Sequence, residues 1–294
     1  MGEDQLVEEN NMSTFTQQSI EAIVYVIIAF LALYIIKLIT DRAVKKYYQA
    51  DVEIEENSNS AIALRRAGLY IGFALGFAGS LSGSSSVSFT DELLLQALDF
   101  ALISLFLLSS FIIADKVLLP KIENTKALLE NNLAVGAVEM GLFVSTGLIA
   151  AASFSGSGDV VDSVIFFLLG QLILMIVGFI YVIKSRYDVY EELHNGNFSA
   201  GIMFGGMMVA IAIVLSGSIS GESTTLKADL IAFGESALFA IVLILLFFST
   251  LIDKLFFPKS DLEVEIKRDK NVAAIVITVA IKIALAVIIS AVLV

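Results

Sequence analysis

Long apolar runs separated by short polar segments organise this chain. Eight such runs fall at about residues 20–40, 61–81, 92–114, 132–152, 161–183, 198–216, 229–252 and 271–293. Each approaches the length needed to cross ~30 Å of hydrocarbon. Lipid cannot hydrogen-bond a free backbone N–H or C=O, so each run is predicted to be a membrane-spanning α-helix. The expected fold is all-α, a polytopic bundle of eight transmembrane helices.

Composition agrees with that pattern. Of the 294 residues 57% are hydrophobic and 16% charged, and mean hydropathy is +0.88. A soluble domain of this length needs more polar surface to cover its core. The first residues, MGEDQLVEENN, carry acids where a signal peptide carries Lys or Arg. Residues 1–19 are therefore expected to be an uncleaved acidic tail. The 18 Lys and Arg residues, all but Lys227 and Lys282, gather in the segments after the first, third, fifth and seventh runs. The positive-inside rule makes those segments cytoplasmic and both termini extracytoplasmic.

The chain repeats itself at an offset of 138 residues, which lays DKVLLPK (115–121) on DKLFFPK (253–259). Its two prolines, Pro120 and Pro258, are matched in that register, as are Asn59 with Asn197 and Gly68 with Gly206. The predicted organisation is a four-helix repeat over 20–155 and a second over 156–294. A smaller unit lies inside each half, because the second, fourth, sixth and eighth runs open at Asn59, Asn132, Asn197 and Asn271. Each Asn stands where an N-cap accepts from exposed helical N–H groups. The unit is a helix hairpin, so its four copies cross the membrane in the same direction as parallel repeats. No inverted repeat is visible and no proline falls within a run, unlike the broken-helix transporters.

These Asn openings, the glycines of the even-numbered runs and the Asp-Lys or Asp-Arg hairpin ends resemble the YjfL-type inner-membrane proteins, the domain of unknown function 350. The resemblance covers roughly residues 20–294. It implies a bacterial inner membrane and, through the neighbours of some relatives, a loose link to envelope stress or polyamine metabolism; it assigns no activity. The eighth run departs from the pattern in having no glycine, which predicts looser packing there.

Candidate chemistry is sparse. Without cysteine, and with His194 as the one histidine, disulfides, thiolate catalysis, iron–sulfur clusters and Cys/His zinc sites are excluded. A net charge of −12 disfavours nucleic acid. No activated-nucleophile or metal-ligand motif is present, so no enzyme, metal or cofactor is expected. The Gly/Ser turns GSLSGSS (79–85) and GSISGES (217–223) lack the G-K-[ST] of a phosphate loop and read as external hinges.

Polar groups inside apolar runs are costly, at roughly 2.5–3.5 kcal/mol per charge on insertion scales. Glu92, Gln96 and Asp99 share one face of the third run; Glu139, Gln171, Glu235 and Lys282 lie in later ones. Two functions follow. In the first, these residues line the path of a small-solute or cation channel or transporter. In the second, the chain is a membrane scaffold or stress-linked partner protein acting through its loops at 41–59, 115–131 and 253–270. The expected partners are the lipid bilayer, a further copy of the chain and a cytoplasmic protein.

Overall fold

The computed structural model describes residues 3–82, 89–155, 159–219, 225–246 and 261–293. All regular structure among them is helical. Among the described residues, seven helices are long and apolar enough to cross a membrane. The run expected over 229–252 appears as a helix over Leu226–Leu246, after which the chain leaves the described residues.

The chain divides into two units, Met1–Lys46 and Tyr47–Val294. The first is one helix, α1 (Glu3–Val44), with its apolar span at Ser19–Val44. The helix continues through the expected acidic tail, since no Gly or Pro interrupts the sequence from Glu3 onward. Within α1, Lys37 Nζ pairs with Asp41 at 2.8 Å, one turn away.

The second unit displays the repeat physically. Four six-residue helices, α2 (Ala50–Glu55), α5 (Asn124–Leu129), α8 (Val189–His194) and α11 (Leu262–Lys267), each precede a long one. The long helices are α3 (Ser60–Leu81), α6 (Leu133–Phe154), α9 (Phe198–Ile219) and α12 (Val272–Leu293). Between each short and long helix one residue takes a left-handed backbone: Ser58, Asn131, Gly196 and Lys270, with φ of 53°, 56°, 72° and 47°. That residue ends the short helix and releases the following Asn to cap the next, in extended geometry at Asn59 and Asn132. We call the end of the bundle that carries the short helices the cap face.

The long helices stand side by side in chain order, α3 on α6, α6 on α9 and α9 on α12. Small residues allow that row. A Cβ on Gly141 would sit 2.5 Å from the Gly205 backbone, so α6 and α9 meet main chain to main chain. The looser packing expected at the last helix is not found. Gly206 and Gly217 of α9 abut Val279 and Ser290 of α12, so the glycines that α12 lacks are supplied by its partner. The apolar windows of α6 and α9 are 78% and 72% buried, against 50% and 33% for α3 and α12, which marks the last two as the row's ends.

Three further helices lie on this row. α4 (Phe89–Ile113) contacts α3 and α6, α7 (Val160–Lys184) contacts α6 and α9, and α10 (Leu226–Leu246) contacts α9 and α12. Phe106 of α4 stacks on Phe167 of α7 with centroids 3.7 Å apart. α4 runs into a π-helical turn, Ala114–Leu118, just before Pro120. Pro258, and residues 83–85 and 220–223 of the two Gly/Ser turns, lie outside the described residues.

Candidate functional site: a buried ion pair beneath the cap face

Glu139 follows its cap, Asn132, by seven residues, and so lies two turns inside α6. It is fully buried. Arg65 stands at nearly the same depth on α3, six residues after Asn59, and is 8% exposed. The α3–α6 contact brings Arg65 Nε to 2.8 Å from Glu139 Oε2, although the N–H direction is off the axis of a good hydrogen bond. Arg65 Nη1 also donates to the Tyr48 hydroxyl at 3.1 Å, and the guanidinium lies over the Phe111 ring, 4.4 Å from its centroid. An ionic, a hydrogen-bonding and a cation–π partner thus share one cation. Burial raises the Tyr48 hydroxyl above its usual pKa of 10.0, against the opposing influence of Arg65, so it enters the cluster as the neutral phenol.

Two further groups adjoin the pair. Asp115, in the π-helical turn, is near enough to Glu139 for the carboxylates to repel; its Oδ1 is buried with no hydrogen bond among the described residues. Asn124 is 3% exposed and lies beside Glu139, and its amide makes no well-aligned hydrogen bond among those residues. Asp115 and Asn124 also line a cleft of about 580 Å³ that opens on the cap face, with Tyr47, Lys116, Glu123 and Lys126. A second cleft, about 610 Å³, lies between the next two units and is lined by Lys121, Arg186, Tyr187, Tyr190 and Lys267.

The remaining residues singled out by sequence are dispersed. Gln96 clamps α4 to α3: its Nε2 donates to the Ser80 carbonyl and its Oε1 accepts from Ser80 Oγ, both at 3.0 Å. Glu92 and Asp99 are partly exposed on α4, while Glu235 is exposed on α10. Their helices rest on opposite ends of the row, so Asp99 and Glu235 do not meet. Gln171 is buried on α7, its amide atoms without hydrogen bonds among the described residues. Lys282 is buried on α12, with Nζ 3.6 Å from Met203 Sδ. Among the described residues no group of acids or His is placed to hold a metal ion.

The four cap asparagines do come together in function. Asn59, Asn132, Asn197 and Asn271 accept from the backbone N–H three residues on, at 3.0, 3.1, 3.4 and 3.2 Å. The first three also donate across to the following unit. Asn59 Nδ2 reaches the Leu128 carbonyl at 2.9 Å, Asn132 the Leu193 carbonyl at 2.9 Å and Asn197 the Ile266 carbonyl at 2.7 Å. Sequence reasoning missed this second bond, and it also missed Arg65, counted there among the loop cations. Its position six residues past a cap, against seven for Glu139, was the available signal.

The apolar spans among the described residues and the row of capped helices define a multi-pass helical membrane protein assembled from repeated hairpins. The chain matches the family described as Domain of Unknown Function (DUF350) twice in tandem, over residues 13–154 and 157–293, and belongs to that family. It is also similar to a UPF0719 transmembrane protein of Aquifex aeolicus (strain VF5), with 32% identity over 174 residues. That alignment takes in 58% of this chain and 62% of the relative's length. No solved structure matches.

Proposed function

We propose that this protein is a membrane scaffold that receives a cytoplasmic protein on its cap face. One observation carries the reading: the deeply buried carboxylate, Glu139, is neutralised by Arg65 at 2.8 Å. A matched buried pair fixes how two helices meet, and breaking it leaves an uncompensated charge. Two clefts on the same face mix lysines, arginine and tyrosines with Asp115, Glu123, Asp188 and Glu191, a lining suited to a protein surface of mixed charge and apolar groups. The lopsided distribution of Lys and Arg turns that face toward the cytoplasm.

A cation path is the second reading, favoured by the unmatched Asp115 and Asn124 atoms beside Glu139 at the inner edge of the first cleft. Liposomes containing the purified protein under an imposed potential separate the two. The scaffold reading expects cation and proton flux equal to that of empty liposomes. It also expects a co-purifying cytoplasmic protein that is lost when Lys121, Arg186 and Lys267 are all changed to Glu. Flux abolished by Asp99→Asn with Glu235→Gln, or by Asp115→Asn, would replace it with the path.

A further inference from the structure

The ladder of caps leaves one donor and one acceptor over. Leu128, Leu193 and Ile266, whose carbonyls receive an Asn from the preceding unit, are each the next-to-last residue of a short helix. In the first unit that position is Ile54, whose carbonyl accepts no hydrogen bond among the described residues. Its side chain is partly exposed, whereas those three are 0%, 0% and 1% exposed. At the other end, Asn271 copies Asn197 in half. Asn197 Nδ2 donates to Glu192 Oε2 at 2.8 Å and to the Ile266 carbonyl. Asn271 Nδ2 donates to Glu265 Oε2 at 2.8 Å and has no second acceptor among the described residues.

The edges beside these groups keep the register of the internal junctions. Counted from each Asn, position 2 of one long helix meets position 4 of the next, as Ala61 meets Gly136 and Ala134 meets Gly201. Position 9 meets position 8, as in Gly68 on Met140, Gly141 on Gly205 and Gly206 on Val279. Position 20 meets position 19, as in Gly79 on Ala151 and Gly217 on Ser290. On α12, positions 2, 9 and 20 are Ala273, Ala280 and Ala291, all exposed. The exposed residues around them, Val276, Ile277, Val287 and Ile288, are the bulky kind that face lipid. On α3, positions 4, 8 and 19 are Ala63, Ala67 and Ala78, the first two partly exposed and the third exposed.

We propose that copies of this protein associate head to tail in one membrane, the α12 edge of one seated on the α2–α3 edge of the next. Asn271 Nδ2 of one copy donates to the Ile54 carbonyl of its neighbour. The repeats are parallel, so a neighbour that continues the row keeps the same orientation in the bilayer. The contact is heterologous, and it closes into a ring or runs on as a file of copies. It buries small residues against small residues, the usual basis of helix association in lipid. The proposal stands independently of the scaffold reading.

The absence of native cysteine makes the test direct. Differently tagged Ala280→Cys and Ala67→Cys chains are coexpressed and oxidised in native membranes. The expected result is a covalent pair carrying both tags, with little product from either variant alone, and a ladder of multimers from the double variant. An Ala152→Cys, Ser216→Cys chain, at positions 20 and 19 of the α6–α9 junction, serves as the folded internal control. Native mass of the cysteine-free protein in nanodiscs is expected to be multimeric and to fall to one chain in Ala280→Leu. The idea is overturned by a monomeric parent, by crosslinking of the control without the mixed pair, or by self-crosslinking of Ala280→Cys equal to the mixed product.

Discussion

Each cap asparagine does two separable things, and substitutions can divide them. Asn132→Asp keeps the oxygen that accepts from Val135 N–H and loses the donor to Leu193. It is expected to cost about 1 kcal/mol, the usual net worth of such a bond. Asn132→Ala loses both and is expected to cost about 2 kcal/mol, a cap being worth about 1 more. Reversible unfolding in mixed micelles measures the difference. Ser58 holds φ at 53° without being glycine, so Ser58→Gly is expected to stabilise by about 1 kcal/mol in the same assay. Arg65→Met and Glu139→Gln are each expected to cost about 3–5 kcal/mol, because each strands the other's charge. Their double variant is expected to lose much less than the sum, and the cycle measures the coupling.

Between elements, the row depends on which glycines face main chain. A Cβ on Gly205 would lie 2.5 Å from the Ala137 carbonyl oxygen, and neither helix can yield without moving. Gly205→Ala is expected to cost about 1–3 kcal/mol by overpacking. Gly234, on exposed α10, meets nothing within 4 Å. Gly234→Ala is therefore expected to be neutral or to stabilise by up to about 1 kcal/mol through helix propensity. Thermal unfolding of the two variants side by side checks the contrast. The periodicity of α9 and α10 marks both glycines as helical, but does not say which way either helix is turned.

For the molecule as a whole, alkaline pH tests the packing of the buried turn between α7 and α8. Tyr187 bonds the Tyr181 hydroxyl at 2.7 Å, and burial raises it well above the tyrosine value of 10.0. A raised folded pKa means that the fold favours the neutral phenol. That stability is complete below pH 10 and is lost as pH rises above it, when unfolded tyrosine ionises first. Unfolding midpoints followed from pH 8 to about 11.5 are expected to fall above 10. The fall should be shallower in Tyr187→Phe. An unchanged slope in that variant would remove Tyr187 as the cause.

Local sequence determined a good deal about this protein. The apolar runs placed the spans, because hydrocarbon thickness and backbone satisfaction leave an apolar stretch few alternatives. The 138-residue register and the four asparagines showed the repeat and its caps, because a cap bonds within its own turn. Only tertiary structure decided the rest. Arg65 and Glu139 become partners because α3 and α6 turn these faces toward each other, 74 residues apart along the chain. Asp99 and Glu235 stay apart because their helices rest on different pairs in the row. The donors of Asn59, Asn132 and Asn197 find carbonyls 69, 61 and 69 residues away. Rotation about a helix axis and the choice of neighbour are fixed by contacts between distant segments, and apolar periodicity is weak where lipid and protein interior are alike.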